Sequence, residues 1–141
     1  MNSIMKYMKK IIFSLFVVSL LAACEQEEAP LLGSLSVVVD ASNPEVLSCS
    51  VEVIEGNVAD CGFYYGTSKN SVSNGKSDKV AGTYVGTTIQ GEITKLSANT
   101  TYYIRAYAMN EKGQTSTEVV QIKTAARKPG ADDNLHPSVA P

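Results

Sequence analysis

The chain has 141 residues, with 12 lysines and arginines against 14 aspartates and glutamates, and a single histidine, His136. This length fits one domain with appendages, and a net charge of -2 provides no basic excess for a nucleic-acid backbone. One histidine leaves little material for histidine-based catalysis or for a multi-histidine metal site. We therefore expect no nucleic-acid partner, no cofactor and no bound metal.

The N-terminal residues have the pattern of an export signal. Three lysines precede residues 11–23, an uncharged stretch of 13 residues that is shorter than the roughly 20 needed to span a hydrocarbon core. Residues 21–24 (Leu-Ala-Ala-Cys) resemble the lipobox of bacterial lipoproteins. The resemblance implies a signal peptide over residues 1–23, cleavage before Cys24 and acyl chains such as palmitate on its thiol, which would anchor the protein to a membrane. The alternative is an ordinary signal peptide or transmembrane anchor in which Cys24 is incidental.

An acidic segment, residues 25–28 (Glu-Gln-Glu-Glu), follows the cysteine directly. It resembles the signal that sends Bacteroidetes lipoproteins to the outside of the outer membrane, which implies a lipid-anchored protein exposed at the cell surface. A solvated tether is the alternative. In either case, residues 24–30 are expected to form a lipidated cysteine and an acidic tether.

The body of the chain, residues 31–124, has the period of two that is typical of strands. In the clearest stretch, Leu47, Cys49, Val51 and Val53 alternate with mostly polar residues. Turn residues separate such stretches at spacings of roughly 8–12 residues, as in a sandwich or barrel. We predict an all-β sandwich of seven strands and a disordered tail over residues 125–141. The predicted strands are 34–39, 46–54, 61–66, 78–81, 84–91, 101–109 and 115–123.

Residues 96–102 (Leu-Ser-Ala-Asn-Thr-Thr-Tyr) are similar to the tyrosine corner of fibronectin type III domains. The resemblance implies an immunoglobulin-like sandwich in which Leu96 and Tyr102 are structural and the tyrosine hydroxyl bonds to the backbone just upstream. Residues 61–68 resemble the third strand of such repeats in Bacteroidetes surface lipoproteins. Because the usual core tryptophan is absent, we expect Phe63 to fill its place.

Cys49 and Cys61 remain as thiols after lipidation and lie 12 residues apart on strands expected to face each other. In an exported protein they can form an inter-sheet disulfide. The alternative is two buried thiols that pack as small hydrophobic groups.

Four outward positions form a candidate binding face, here called the tyrosine face: Tyr64, Tyr103, Arg105 and Tyr107. If Tyr102 and its alternate residues point inward, these side chains point out of the same sheet. Exposed rings beside an arginine suit a sugar-stacking surface or a protein hot spot. Ordinary cross-strand pairing is the alternative.

Other features have weaker functional interpretations. The loops at residues 67–79 and 110–113 can carry recognition or serve as connectors. Glu52 and Glu92 are a conceivable carboxylate pair, with solvated faces as the alternative, and Asp132, Asp133 and His136 fall in the predicted tail. The sequence contains none of the common nucleophile, phosphate-binding or zinc-protease motifs. We expect a protein that is not an enzyme.

Two functions remain open at this point. The first is a lipid-anchored recognition module for a polysaccharide or an envelope protein. The second is a structural spacer in a larger outer-membrane assembly. The predicted aromatic face favours the first function, whereas the short chain and single domain favour the second.

Overall fold

Ten short strands and one helical turn occupy most of residues 27–129, the part of the chain that the computed structural model describes. The predicted signal peptide, Cys24 and residues 130–141 lie outside this part. The elements are β1 (Leu31–Leu32), β2 (Ser36–Val39), β3 (Leu47–Glu55), β4 (Asp60–Gly66), α1 (Lys69–Ser73), β5 (Asp78–Ala81), β6 (Thr83–Val85), β7 (Thr88–Ile93), β8 (Thr101–Asn110), β9 (Gly113–Ser116) and β10 (Val120–Lys123).

The strands form two antiparallel sheets packed face to face. Sheet I has the order β1-β3-β7-β6, with β2 also paired to β3, and sheet II has the order β10-β8-β4-β5, with β9 also paired to β8. The strand pairs β1/β2 and β9/β10 thus each behave as one interrupted edge strand. Within residues 27–129, no helix is long and apolar enough to cross a bilayer.

Side-chain alternation places the core between the sheets. In β3, Leu47, Cys49, Val51 and Val53 are buried, whereas the residues between them face solvent on the outer side. Strand β8 buries Tyr102, Ile104, Ala106 and Ala108 on its core face in the same way. The alternation in the sequence therefore arises from a sheet that has one face in the core, as predicted.

Phe63 is fully buried at the centre of this core, the position expected for it. Its ring lies against Gly91 of the facing sheet, where a Cβ atom would approach the Phe63 Cε2 atom to 2.8 Å. The missing side chain at residue 91 leaves the space that the ring fills, so the pair brings the two sheets into close contact.

Gly82 marks the point at which one extended segment changes sheets. Strand β5 pairs with β4 in sheet II, and β6, one residue later, pairs with β7 in sheet I. A Cβ atom at residue 82 would lie 2.8 Å from Ile89 Cγ2 and 3.3 Å from Gly62 Cα. Only glycine fits this crossing without displacing its neighbours.

Two of the predicted strands are interrupted. The predicted strand 84–91 is a hairpin of β6 and β7 around a turn at Gly86 (φ 62°), because a positive φ lets glycine reverse the chain there. The predicted strand 115–123 breaks after Ser116. At the break, the Thr117 hydroxyl accepts the Ala106 N–H at 3.0 Å and takes the place of a backbone partner.

The five-residue helix α1 lies between β4 and β5, in a segment expected to be a loop. Ser68 caps its start by accepting the Ser71 N–H at 3.4 Å, and Val72 is its buried side chain. With so few residues, the helix depends on packing against sheet II.

The two ends of the sandwich are formed by different parts of the chain. The N-terminal end contains residues 27–30 and the turns at 56–59, 86–87 and 111–112, whereas the C-terminal end contains the segments 40–46, 94–100 and 125–127. Residues 27–30, expected to be a tether, pack on the N-terminal end. Pro30 is fully buried there, and Asn110 Nδ2 donates to the Glu28 carbonyl at 2.8 Å.

The folded body also extends beyond Thr124. The Asn99 N–H donates to the Ala125 carbonyl at 2.9 Å, and Arg127 forms a salt bridge to Glu45 at 2.9 Å. The first residues of the predicted tail are therefore attached to the C-terminal end of the sandwich.

Candidate binding surface

The structure brings the four residues of the tyrosine face together on the outer side of sheet II. Tyr64 of β4 lies directly opposite Arg105 of β8, and Tyr103 lies opposite Gly66. The rings of Tyr64 and Tyr107 have centroids 4.9 Å apart and planes inclined by 42°. The predicted grouping is therefore present, although its accessibility differs from the prediction.

Tyr107 is 4% exposed, so the expectation that its ring is an open stacking platform is wrong. The ring lies over Gly62, where a Cβ atom would come within 3.0 Å of it. Lys79 Nζ covers the same ring at 5.7 Å from its centroid, in the range of a cation–π contact. Burial, reinforced by the nearby Asp60 carboxylate, raises the pKa of Tyr107.

The guanidinium of Arg105 is bound to the protein's own backbone. Its Nε donates to the Thr117 carbonyl at 3.0 Å, and its Nη1 donates to the Ser73 carbonyl at 2.6 Å. These bonds tie the strand break at Thr117 to the end of α1, where a cation also suits the helix dipole. Arg105 therefore has a structural role, which sequence pattern alone does not reveal.

Helix α1 and the turn after it occupy part of the tyrosine face. Val72 is fully buried beneath the helix, beside Gly66. After the helix, a Cβ atom at Gly75 would lie 3.7 Å from the Tyr64 ring. Tyr64 and Tyr103 consequently remain half-buried, and the chain itself supplies the contacts that a ligand was expected to make.

Cys49 and Cys61 are both buried and free, so the structure does not contain the candidate disulfide. Cys49 lies six residues before the end of β3, whereas Cys61 lies one residue after the start of β4. Cys49 lies opposite Gly91 in sheet I, and Cys61 lies opposite Ala108 in sheet II.

Each thiol is protonated and lies in an apolar environment. Burial raises the pKa of Cys49 to about 12. Burial, with a smaller effect of the Asp60 carboxylate, also raises the pKa of Cys61, whose Sγ donates to the Gly82 carbonyl at 3.6 Å. The thiols therefore behave as the small core groups of the alternative interpretation.

The tyrosine corner has the geometry implied by the sequence resemblance. Leu96 is buried, and the Ser97 N–H donates to the Tyr102 hydroxyl at 2.9 Å. Asn99 adopts a φ of 50°, a conformation that asparagine tolerates. Thr124 closes the corner, since its hydroxyl donates to the Ser97 carbonyl at 2.7 Å and accepts the Thr100 N–H at 2.9 Å.

The candidate carboxylate pair is not assembled. Glu52 and Glu92 are exposed on adjacent strands, and Glu92 lies opposite Ser48, four residues from Glu52 along β3. This register separates them by roughly 14 Å, beyond the spacing of a glycosidase pair, at most about 9.5 Å. In the segment from 27 to 129, no cluster of three histidine, cysteine or acidic residues is placed to hold a metal.

The outer face of sheet I contains a surface that sequence reasoning missed. A shallow depression of about 510 Å³ crosses strands β2, β3, β7 and β6, and its lining side chains are mainly Ser48, Ser50, Thr83, Gln90 and Glu92. Val38, 59% exposed, forms one edge. The alternation of small polar residues at 48 and 50 is the available sequence signal, because short side chains between longer ones leave a hollow on a sheet.

The two-sheet arrangement is shared with solved structures. The fn3 domain of the human collagen alpha-1(XX) chain superposes with a TM-score of 0.51 at 15% sequence identity, over 75% of this chain and 93% of that chain. The fold is a fibronectin type III-like β-sandwich. This similarity confirms the predicted all-β, immunoglobulin-like sandwich. No protein-family model and no curated protein matches the sequence.

At this level of identity, the similarity concerns the fibronectin type III fold and not a shared ligand. A shared fold does not by itself imply a shared function. The function of this chain must therefore be argued from its own surfaces.

Proposed function

We propose that this protein is a lipid-anchored binding module of the bacterial cell envelope, held at the outer membrane by acyl chains on Cys24 and exposed at the cell surface. The likeness of residues 21–24 to a lipobox supports the anchor. One structural observation, the open depression on the outer face of sheet I, supports the binding role.

The depression offers hydrogen-bonding groups that are available to a partner. The side chains of Ser48 and Gln90 are exposed, and Ser50 and Thr83 lie beside them on neighbouring strands. Hydroxyl and amide groups both donate and accept, so they fit the polar groups of an incoming backbone or side chain. Val38 adds an apolar edge, which gives the mixture of polar and apolar contacts found in protein interfaces.

A protein partner fits this surface better than a glycan. The residues that line the depression include no aromatic side chain, whereas sugar-binding surfaces generally use flat rings for stacking. The rings that were expected to serve this purpose belong to the tyrosine face, which Lys79 and α1 partly cover. We therefore place an envelope protein first and a polysaccharide second.

A structural spacer is the second candidate function, and one observation favours it. The chain enters the sandwich at its N-terminal end and leaves it at the C-terminal end, near Arg127. A domain with this path separates whatever is attached to its two ends by the length of its strands.

The anchor is tested with a Cys24→Ala variant of the full chain. Growth with an alkyne analogue of palmitate should label the wild type in the membrane fraction, and the variant should lose the label, because it lacks the thiol. A variant labelled as strongly as the wild type would contradict anchoring at Cys24.

The binding role is tested by photo-crosslinking in intact cells. A photoreactive amino acid at Ser50, inside the depression, should give one dominant protein adduct. The matched control places it at Gln121, which is exposed on the outer face of sheet II. Protein adducts of equal strength from both positions, or none from Ser50, would argue against the depression as a protein-binding site. An adduct with polysaccharide alone would move the assignment to a glycan.

A further inference from the structure

We propose that the N-terminal end of the sandwich is a lipid-contacting surface, so that the domain stands upright on the membrane with its C-terminal end outward. This inference rests on the proposed anchor at Cys24 and goes beyond it. An anchor alone would allow the domain to tumble on a tether, whereas the structure gives it one orientation.

The chain between Cys24 and the folded body is short. Glu27 to Pro30 belong to the folded body, because Pro30 is buried and Asn110 Nδ2 donates to the Glu28 carbonyl. A Cβ atom at Gly56 would lie 3.0 Å from Pro30 Cα, so the turn also packs tightly on this segment. Two residues, Glu25 and Gln26, separate Cys24 from Glu27, so the three steps along the chain span at most about 11 Å when fully extended.

Most of the exposed apolar side chains lie at the same end of the sandwich. Six large hydrophobic residues are more than about a third exposed in the described part of the chain, and five of them lie at the N-terminal end. Each of the five is the first, last or next-to-last residue of its strand at that end. They are Leu31 (49% exposed), Ile54 (61%), Tyr84 (41%), Val85 (61%) and Met109 (38%), whereas Val38 is the sixth.

The five side chains are distributed around this end of the sandwich. Ile54 and Val85 lie on the outer face of sheet I, and Met109 lies on the outer face of sheet II. Isolated exposed apolar residues are common on any protein, but these five, here called the apolar ring, share the end where residues 27–30 pack, four of them on sheet I and one on sheet II. Apolar side chains at a blunt end fit a broad, flat apolar partner, and the lipid surface is such a partner.

The charges at this end limit how deeply it enters the membrane. Among residues 27–129, five exposed carboxylates lie at this end, those of Glu27, Glu28, Glu55, Asp60 and Glu111, together with one cation, Lys112. Carboxylates remain hydrated at the level of the headgroups. The end is therefore expected to rest on the surface, with its apolar ring at the boundary between headgroups and acyl chains.

An upright domain presents the binding surface away from the membrane. Ser48 is the second of the nine residues of β3 and lies near the C-terminal end. Nine residues of strand span about 30 Å. The depression around Ser48 is then held well clear of the lipid and accessible to a partner.

Depth-dependent quenching tests the orientation with the full chain purified from membranes. An environment-sensitive fluorophore is attached at Lys112→Cys, on the N-terminal end, or at Ser42→Cys, on the C-terminal end. The buried Cys49 and Cys61 do not compete for the reagent under native conditions. In phosphatidylcholine vesicles that contain a doxyl-labelled lipid, we expect loss of fluorescence at position 112 and no loss at position 42.

Two matched variants test the apolar ring. Ile54→Ser with Met109→Gln should reduce quenching at position 112, because the end loses its apolar contacts. Val38→Ser, at a side chain about as exposed as Ile54 (59% against 61%) but near the opposite end, should leave the quenching unchanged. Circular dichroism and thermal unfolding of both variants establish that the sandwich is intact.

The outcomes separate this inference from the proposed function. Equal quenching at both positions, or insensitivity to the Ile54 and Met109 changes, overturns the upright orientation even when mass spectrometry finds acyl chains on the N-terminal peptide. An N-terminal peptide without acyl chains, in a protein that does not float with vesicles, overturns the anchor and the orientation together.

Discussion

Tyr102 illustrates how one side chain connects distant parts of this chain. Its ring is buried in the core, while its hydroxyl accepts the Ser97 N–H at 2.9 Å. The Ser97 carbonyl in turn accepts the hydroxyl of Thr124, beyond the last strand. A single corner thus holds β8, the segment before it and the end of the chain in fixed positions.

Replacing Tyr102 with phenylalanine is expected to lower the free energy of unfolding by about 1 to 2 kcal/mol, because the Ser97 N–H loses its partner. Urea denaturation at constant m-value measures the change. Tyr103→Phe is the control, since that ring faces away from the core, and it should cost less than about 0.5 kcal/mol. Equal costs for the two variants would mean that the corner bond contributes nothing.

The role of a residue was predictable from the sequence where its contacts are to residues nearby in the chain. The motif over residues 96–102 contains both partners of the corner bond within five residues of each other. The burial of Tyr107 depends instead on Gly62 and Lys79 of two other strands. No pattern along β8 carries that information.

At the scale of elements, Gly82 determines how one segment serves both sheets. Strands β5 and β6 are consecutive, yet they belong to opposite layers. The Gly82 N–H donates to the Cys61 carbonyl at 3.0 Å, which fixes the crossing against β4.

Gly82→Ala is expected to destabilise the fold by about 1 to 3 kcal/mol, as overpacking does, because its Cβ atom would lie 2.8 Å from Ile89 Cγ2. Gly33→Ala is the matched control. Its Cβ atom would meet nothing closer than 3.5 Å, so its effect should be small. Thermal unfolding of both variants measures the difference. If both lose the same stability, close packing at the crossing is not what requires glycine.

The sequence predicted the long strands better than the short ones. Strand β3 has nine residues of regular alternation, so its core face was evident. The alternating pattern of residues 84–91 runs through the turn at Gly86 and conceals the hairpin. The depression on sheet I depends on four strands that are distant in sequence, and its position was not predictable from any one of them.

For the whole molecule, two buried thiols and one buried phenol make stability decrease in alkali. The pKa of Cys49 rises from 9.0 to about 12, and those of Cys61 and Tyr107 also rise. The folded state then binds these protons more tightly than the unfolded state. The contribution is complete below the unfolded-state pKa values and is lost as pH rises through the folded-state values.

The free energy of unfolding should therefore be flat near neutral pH and decrease from about pH 9 towards about pH 12. Urea titrations across this range measure the decrease. Cys49→Ala should show a shallower decrease, because one of the groups is absent. A stability that does not change over this range would contradict the buried, protonated state of these groups.

The path of the chain has a mechanical consequence. Because the chain enters at one end of the sandwich and leaves at the other, a pull between the two ends acts along the strand axes. The first strands, β1 and β2, are paired to β3, and the last strand, β10, is paired to β8. Their hydrogen bonds run across the direction of the pull, so they resist as a group in shear and do not open one at a time. Both edges of the sandwich therefore share any tension transmitted through this protein.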